Sequence, residues 1–370
     1  MAKNMILCTI YSAGMKVIYT INGYTSIIRE HALREPGKFE LKTISTPEVI
    51  SAALSGFFVK FSDDEKTWWL IESVNPDISN NDYNSCAISG RCLHALLGSR
   101  IVWGTQTVVG TQFNRIYWLI YYQAVHPEEF KTTAISDEYK PYRVITFLQD
   151  IQLDSDDKGT SIDSQQYTGD NLLEAVDDIL GETEYGIRVE VSEEDKKITP
   201  YFFKGQDRTN TVKFESNLGL IGDASYLYDI AGSSNCALAA GEGEGDQRKF
   251  QLCYSHLRSG LWRRELFVDA RDLQSENYSG TTYYVTLQNR GFSKLLENKP
   301  KTELSFDLIQ NGQYEFGRDY SLGDMITVIP RGFGISATCR VIKMQVSDDS
   351  DGRNYTPTVE VLNLDTLEVE

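Results

Sequence analysis

Apolar and polar residues alternate in short runs near both ends of the chain. The first part contains MILCTIY, VIYTI and FELKT, separated by the turn pairs Ala13-Gly14, Asn22-Gly23 and Pro36-Gly37. The last part contains LSFDLI, DYSLGDMITVIP, ATCRVIKMQV and PTVEVLNL. Alternation bounded by turn residues is typical of half-buried strands. We therefore expect a β-barrel-like domain at each end of the chain.

Three segments between these runs favour helices. TPEVISAAL begins with Thr46 as a plausible N-cap and Pro47 at the first helical position, and Gly56 ends it. In LLEAVDDIL the apolar residues recur at helical spacing, and Asp170 or Asn171 is available as the cap. In FNRIYWLIYY aromatic side chains lie on nearly all sides, which indicates a buried helix. The same aromatic density would also suit a sugar-binding cleft.

The remaining middle segments predict short strands and one short helix. VITFLQDIQL is predicted as a strand, and GIRVEV and ITPYFF are predicted to form a hairpin. Residues 283–287 are predicted as a strand, and residues 291–296 as a short helix that Asn298 and Pro300 terminate. The expected fold class is mainly β with α+β parts: two β-barrel-like domains plus mixed α/β domains.

The length of 370 residues is too great for one simple core and predicts several domains. We place them at residues 1–105 (N-terminal β-barrel-like), 106–210 (a helix and a small α/β unit), 211–282 (mixed, with charged and glycine-rich segments) and 283–370 (C-terminal β-barrel-like).

The net charge and the lack of long apolar runs argue against some classes of function. The formal net charge of −17 disfavours non-specific binding of nucleic acid or anionic membranes. The sequence shows no charged-then-apolar leader and no apolar run long enough to cross a membrane. We therefore expect a protein that is made in a cytoplasm and reaches any other location by assembly, without membrane insertion of its own.

The cysteines and histidines predict neither a metal site nor a cofactor. The six cysteines are scattered without a CxxC pair, and each lies in an apolar or strand-like context that favours a small buried residue. The four histidines do not cluster at metal-ligand spacing. They are His31, His94, His126 and His256.

The least ordinary stretch is residues 239–272, in which glycines alternate with glutamates. Gly241-Glu242-Gly243-Glu244-Gly245 is predicted to be extended, with one face free of side chains so that another backbone can approach closely. A phosphate-binding loop is disfavoured because glutamates lie between the glycines. On a strand the two glutamates would share a face, roughly 7 Å apart. That arrangement would suit acid–base chemistry, but a structural or interface role is the favoured interpretation.

Charged residues later in this stretch are candidates for pairing with those glutamates, within the chain or in a neighbouring copy. A basic block follows Trp262, and the stretch closes on an acidic segment. The candidate assembly residues here are Arg263, Arg264, Asp269, Arg271 and Asp272.

Two further pairs are candidates for binding. Arg100 and Trp103 invite a binding-site interpretation, although an arginine whose stem packs on the fold is the preferred one. Asp207 and Arg208 lie in a polar turn; a catalytic pair is conceivable, and a turn in which Asp207 accepts from nearby backbone amides is favoured.

The order of several motifs resembles one known family, the siphovirus ReqiPepy6 Gp37-like proteins, over nearly the whole chain. The motifs are Gly23-Tyr24-Thr25-Ser26-Ile27-Ile28, Glu35-Pro36-Gly37-Lys38-Phe39-Glu40-Leu41, Ser89-Gly90-Arg91, Arg100-Ile101-Val102-Trp103, Thr168-Gly169-Asp170-Asn171-Leu172, Lys204-Gly205-Gln206-Asp207-Arg208-Thr209, Ala240-Gly241-Glu242-Gly243-Glu244-Gly245, Arg263-Arg264-Glu265-Leu266, Val268-Asp269-Ala270-Arg271-Asp272 and Leu322-Gly323-Asp324.

The resemblance implies a structural hub of a bacteriophage tail tip or baseplate, similar to the hubs of contractile tails and injection systems. Such hubs are homotrimers in which two β-barrel domains per subunit give a pseudo-sixfold ring. The ring joins the sixfold tail tube, or a distal tail protein, to a threefold spike or fibre. The tape measure protein is a further possible partner. The location implied is the virion tail, assembled in the host cytoplasm, with DNA passing through the lumen without being recognised.

Two alternatives belong to other classes. A glycan-binding or glycan-hydrolysing tail protein would use Glu242, Glu244 or Asp269, with Trp262 stacking on sugar. A small-molecule enzyme is the weaker alternative, because the sequence contains no nucleophile–base or metal constellation. The expected outcome is a protein that is not an enzyme.

Overall fold

The computed structural model describes residues 6–77, 84–131, 136–181, 183–254, 259–278, 281–309, 313–331 and 335–366. The chain divides into two compact units. Unit one comprises Met1–Ala224 and Ser305–Glu370, and unit two comprises Ser225–Leu304.

The strands and helices follow one another in a mainly β order. The helices are α1 (Pro47–Ser55), α2 (Gln112–Ile120), α3 (Leu172–Leu180) and α4 (Thr282–Glu297). The strands are β1 (Cys8–Tyr11), β2 (Val17–Ile21), β3 (Ser26–Ala32), β4 (Lys38–Ile44), β5 (Phe58–Phe61), β6 (Asp64–Asp77), β7 (Ser85–Cys92), β8 (Thr105–Thr111), β9 (Gln152–Leu153), β10 (Ser161–Thr168), β11 (Tyr185–Ser192), β12 (Lys197–Lys204), β13 (Lys213–Glu215), β14 (Ile221–Asp229), β15 (Cys236–Ala240), β16 (Phe250–Tyr254), β17 (Glu265–Asp269), β18 (Lys301–Leu308), β19 (Met325–Ile329), β20 (Ile335–Asp349) and β21 (Gly352–Thr366).

One long sheet organises unit one. Its strand order is β14-β18-β21-β20-β3-β4-β7-β6-β5-β1-β2, and β19 pairs with β20 and with β13. The antiparallel pairing of β3 with β20, from Ala32↔Lys343 to Ile27↔Asp348, joins the first and last parts of the chain. The mainly β class is confirmed. The described strands form no closed barrel, so two separate β-barrel-like domains are not confirmed.

A buried ionic network lies at the pairing of β3 with β20. Arg29 of β3 is 2% exposed and donates to both carboxylate oxygens of Asp63, at 2.8 and 2.6 Å. Arg353 of β21 lies 3.0 Å from the same carboxylate and donates to Asp348 at 3.1 Å. The Tyr24 hydroxyl donates to the other oxygen of Asp348, at 2.8 Å. Each buried charge therefore has an opposite charge beside it, as burial requires.

The predicted helix caps are confirmed. The Thr46 hydroxyl accepts from the Val49 amide, and α1 ends at Gly56. Of the two candidate caps for α3, Asn171 is the one used, because its side-chain oxygen accepts from the amides of Leu173 and Glu174. The same side chain donates to the Gly98 carbonyl at 2.9 Å, which ties the start of α3 to the preceding chain.

α2 forms where a helix was predicted, but its aromatic side chains are not all buried. The buried residues are Gln112, Arg115, Ile116, Leu119 and Ile120. Trp118 is 42% exposed, whereas Phe113 and Tyr117 are half-buried and pack against the core. Aliphatic side chains fill the interior, and the rings stack on one another at the surface, with Tyr117 on Tyr121 and Trp118 on Tyr122.

Two strand predictions are wrong. Most of residues 144–153 is irregular, and only Gln152–Leu153 forms a strand, parallel to β12. Residues 283–287 lie within the helix α4, which continues through the predicted short helix to Glu297. The β-branched and aromatic residues of this segment favour a strand locally, but Tyr283, Leu287 and Leu295 pack as one helical face in the core of unit two. The predicted hairpin of β11 and β12 is confirmed.

Unit two contains the three-stranded sheet β16-β15-β17 and α4. β15 pairs antiparallel with β16 and parallel with β17. Ala237, Ala239, Cys253 and Val268 share its core with α4. The four-part domain division from the sequence does not coincide with the two units, because the strands at both ends of the chain belong to one sheet. That division stays a prediction.

No helix in the described ranges is long and apolar enough to span a membrane.

Substitution of the α3 cap tests the local basis of this architecture. Asn171→Ala removes both the cap and the bond to Gly98, and we expect it to cost about 1–2 kcal/mol of stability. Asn171→Asp keeps the accepting oxygen and loses only the amide donor, so it should cost less. Urea unfolding followed by circular dichroism measures both variants. Equal stability of Asn171→Ala and the wild-type protein would contradict the assigned role.

Candidate functional site

The glycine-rich segment of unit two is a tight turn and not an extended strand. β15 ends at Ala240, and the chain turns back into β16 at Phe250. Gly243 has φ +96 and Gly245 φ +53, in the region that favours glycine. A Cβ on Gly243 would lie 2.5 Å from the Gln247 carbonyl oxygen. The predicted close backbone approach therefore occurs, but within the turn itself.

Glu242 fixes this turn. Its carboxylate accepts from Lys249 Nζ at 2.5 Å, from the Ser275 amide at 2.6 Å and from the Ser275 hydroxyl. Hydrogen bonds from Lys249 and then Ser275 lower the pKa of Glu242 to about 2. A general acid needs the opposite shift. Since Glu244 lies in the same turn, the two glutamates do not form the predicted strand-face pair.

A Cβ on Gly241 would lie 2.0 Å from the Tyr283 hydroxyl. That hydroxyl accepts from the Glu242 amide at 3.0 Å, so the glycine is needed to let the α4 tyrosine reach the turn.

Arg248, which sequence reasoning missed, ties the turn to β17. It donates to the carbonyls of Gly241 and Ala240 at 3.1 and 3.0 Å, and to Asp269 at 2.7 Å. Asp269 also accepts from Arg271, and this bond is the main cause that lowers the pKa of Asp269 to about 2. The signal for Arg248 was its place directly after the glycines, in Asp246-Gln247-Arg248-Lys249.

Within the described part of the chain, the predicted pairing of the glutamates with the later arginines does not occur, while pairing with a neighbouring copy stays a prediction. Arg263 pairs with Glu265 at 2.5 Å, and Arg271 pairs with Asp269 at 2.6 Å. Asp272 pairs with Arg290 of α4 at 3.0 Å. Arg264 has no side-chain ion pair with any acid in the described part of the chain, although its amide donates to Asn235. Acidic partners two residues away are available to Arg263 and Arg271, so these two arginines do not use the distant glutamates.

Trp262 and Glu242 lie at opposite ends of the unit-two sheet. Trp262 precedes Glu265, which pairs with Cys236 at the start of β15, whereas Glu242 follows the last residue of β15, Ala240. The strand between them spans about 13 Å. Trp262 is 73% exposed, but a sugar stacked on it would not lie over the Glu242 carboxylate.

In unit one the Asp207 turn forms as predicted. The Asp207 carboxylate accepts from the amide and hydroxyl of Thr209, at 3.0 and 2.7 Å. Arg208 instead reaches Asp324, which is 3% exposed, at 2.9 Å. Asp324 also accepts from the Gln206 and Ser321 amides. Two motifs far apart in sequence therefore meet at one buried carboxylate.

Glycines make this meeting possible. A Cβ on Gly205 would lie 1.9 Å from the carbonyl carbon of Gly323, and Gly323 has φ +85. Sequence reasoning missed Asp324 as the partner of Arg208, because the pairing spans more than a hundred residues.

Arg100 and Trp103 do share a site, but through a residue that the sequence did not reveal. The guanidinium of Arg143 lies 4.2 Å from the centre of the Trp103 ring. Arg100 Nε donates to the Arg143 carbonyl at 2.6 Å. The two sequence-predicted residues thus enclose a third, buried one.

One group of possible metal ligands lies in the described part of the chain. His126, Glu128 and Glu129 each offer an atom within 4.8 Å of the others. The two carboxylates are exposed, and such groups are common without an ion, so the geometry does not assign a metal. His256 lies outside the described residues. The six cysteines are free and buried, as expected.

Comparisons with known proteins give one family and one fold. The family model described as Siphovirus ReqiPepy6 Gp37-like protein matches residues 7–359. A tail protein from Neisseria meningitidis is similar with a TM-score of 0.58, 12% identity and 96% of each chain covered. The 43 kDa tail protein of prophage MuSo2 from Shewanella oneidensis has a TM-score of 0.59 at 13% identity, covering 96% of this chain and 98% of that one.

Prophage tail protein gp18 from Listeria monocytogenes has a TM-score of 0.52 at 11% identity, with 97% of this chain and 96% of that chain covered. At these identities the likeness concerns the fold. No curated protein matches the chain.

The glycine turn is open to a direct test. Gly243→Val places a β-branched side chain at positive φ and against the backbone of Gln247, and we expect it to hinder folding or assembly. Gly245→Ala is the matched control, because Gly245 has positive φ but no atom within 4 Å of its would-be Cβ. Thermal unfolding and the yield of assembled protein measure the effect. A wild-type yield of assembled Gly243→Val protein would contradict the prediction.

Acid should weaken the Glu242 contacts in a defined direction. The pKa of Glu242 is depressed in the folded protein, so its contribution to stability is complete above its ordinary pKa, near 4.5, and is lost as the pH falls towards about 2. The unfolding temperature of Glu242→Gln should therefore fall less between pH 5 and pH 2 than that of the wild-type protein. Glu244→Gln should follow the wild-type protein. The same pH dependence in both variants would refute this assignment.

Proposed function

This chain belongs to the siphovirus ReqiPepy6 Gp37-like family, and on that premise we propose that it is a structural component of a bacteriophage tail. We place it in the tail tip or baseplate as the hub. In this proposal three copies form a ring that joins the sixfold tail tube to a threefold spike or fibre. The similarity in fold to three tail proteins, along nearly the whole of each chain, supports the tail assignment.

The observation that carries the hub proposal is the open edge of the unit-one sheet at β2. β2 lies at one end of the strand order and pairs with β1 alone among the described strands. Its apolar residues Val17, Ile18 and Tyr19 are 58%, 37% and 37% exposed. An unprotected apolar edge is a template for pairing with another chain, and natural proteins normally cover it or place charges on it.

Edge pairing is compatible with a ring. A strand edge that meets a different surface of the next copy makes a head-to-tail contact, which closes into a ring when the rotation permits. The two β-barrel-like modules per subunit, which would make such a ring pseudo-sixfold, belong to this proposal. The pairing of β3 with β20, which joins the two ends of the chain, would hold both modules in one rigid sheet.

The partners and location follow from the proposed position. One side of the ring would contact the tail tube or a distal tail protein, and the opposite side would contact a spike or fibre. The tape measure protein would end near the lumen of the ring. The protein would be assembled in the host cytoplasm and reside in the virion tail. DNA would pass through the lumen, and the charge of −17 disfavours its retention there.

A non-enzymatic role is part of the proposal. The glycan-hydrolysing alternative has less support, because Glu242 is held ionised by Lys249 and Ser275. Asp269 is likewise held ionised, by arginines. The exposed Trp262 leaves sugar binding as the stronger part of that alternative.

The oligomeric state in solution tests the hub proposal. Light scattering at high protein concentration should give three times the chain mass of 41.9 kDa. Ile18→Lys places a charge on the β2 edge and should shift the protein towards the monomer, raising the trimer dissociation constant at least about tenfold. Leu261→Lys makes the same change at a fully exposed apolar residue of unit two and should leave the mass unchanged.

Two outcomes of these measurements would contradict the proposal or part of it. The proposal is overturned if the wild-type protein is a monomer and also fails to bind tail-tube or distal-tail protein. The binding measurement is needed because some hubs trimerise only on a partner. A trimer that Ile18→Lys leaves intact would move the interface away from β2.

A further inference from the structure

Arg143 is a buried arginine whose hydrogen-bond partners are neutral. It is 7% exposed. Its Nη1 donates to the Gln123 side-chain oxygen at 2.8 Å, and its Nη2 donates to the Ile101 carbonyl. Carbonyl and amide oxygens satisfy the donors of a guanidinium, but they leave its charge uncompensated.

Arg100 adds a second positive charge at the same place. Its donors also reach only neutral acceptors: the Arg143 carbonyl at 2.6 Å, the Ser99 carbonyl and hydroxyl, and the Val144 carbonyl. Burial, and then the charge of Arg100, lowers the pKa of Arg143 to about 10. Two cations therefore repel each other here without an anion between them.

Other arginines of unit one show the contrast. Arg29 pairs with Asp63, Arg91 with Glu72 and Arg208 with Asp324, each at 2.9 Å or less. Neither Arg100 nor Arg143 forms an ion pair with any acid in the described ranges, in a chain with 53 acidic and 36 basic residues.

The neutral partners hold the two guanidiniums in fixed positions. Trp103 lies face-on to Arg143, which gives a cation–π contact in place of a counter-ion. The Gln123 oxygen accepts from both Arg143 and the Trp103 amide, and Gln123 donates to Gln106 at 2.7 Å. Such rigid support reduces the ordering cost of binding.

The residues next to the pair in the chain are exposed to solvent and partly apolar. Tyr142 is 82% exposed, Ile101 46% and Val144 37%. Arg100 is half-buried and presents the accessible donors, while the buried Arg143 contributes charge. Arginine forks match the planar geometry of carboxylates and the oxygens of phosphates.

We propose that Arg100 and Arg143 form an oxyanion-binding site whose ligand supplies the missing negative charge. The anion is a carboxylate presented by an acidic segment of another protein, or a free oxyanion such as phosphate. Arg100 contacts the anion, and Arg143 and Trp103 are positioning residues. The proposal does not rest on the hub assignment, so a titration tests it separately from the molar mass.

The test is a pair of titrations on the full chain. A rhodamine-labelled peptide of six glutamates is followed by fluorescence anisotropy, and inorganic phosphate is followed by calorimetry, both in low salt because screening weakens exposed charge pairs. Arg100→Gln should weaken binding about tenfold, since a charge-assisted hydrogen bond is lost. Arg100→Lys keeps the charge and loses the fork, so its affinity should lie between those of Arg100→Gln and the wild-type protein.

Arg91→Gln is the matched control, because it removes the same charge from an arginine that is already paired with Glu72. Its affinity should stay within about twofold of wild type. Binding of the peptide alone identifies an acidic protein segment as the source, and binding of phosphate alone identifies a free oxyanion. The proposal is overturned if neither anion binds the wild-type protein, or if Arg100→Gln and Arg91→Gln bind equally well.

Discussion

The pairing of β3 with β20 is the constraint on which unit one depends. It brings residues near the start of the chain beside residues near its end, so that strands from both ends of the chain belong to one sheet. A slip of one residue would turn the buried Arg29 outward and place an apolar neighbour in its position. The fork of Arg29 on Asp63, with Arg353 on the same carboxylate, selects the register through charge geometry. Such a network adds specificity more than net stability.

Both units use the same device at their tight turns. In unit two, Arg248 holds the glycine turn to Asp269 of β17; in unit one, Arg208 holds the Gly205 turn to Asp324. Glycine is required where backbones meet closely, and the arginine fork then spans the gap to a distant strand. The charged clusters that suggest catalysis in the sequence therefore have structural partners. Hydrogen bonds from basic side chains lower the pKa of Glu242 and of Asp269, so these two carboxylates stay ionised.

What the sequence predicts well is local. Thr46 and Asn171 cap their helices because a cap depends on residues two or three positions away. α4 escapes prediction because its first turns are rich in β-branched and aromatic residues, and packing against β15 and β16 decides otherwise. A Cβ on Gly291 would lie 2.4 Å from Cys253 Sγ, which shows how closely that helix approaches the sheet. The sequence did not predict the partners of Glu242, Arg208 and Trp103, because tertiary contacts determine them.

The charge of the chain limits how copies of it can meet. With a net charge of −17, identical subunits repel at long range, so electrostatic steering cannot bring them together. In the proposed ring, short-range forces must therefore supply the attraction, namely backbone hydrogen bonds and apolar contact along an edge such as β2. The net negative charge also bears on Arg100 and Arg143, which form no ion pair in the described ranges. A chain with this net charge repels anions over most of its surface. At the proposed site, the attraction of an acidic partner to the two fixed guanidiniums exceeds this repulsion. The contact is specific because the surrounding surface repels the partner elsewhere.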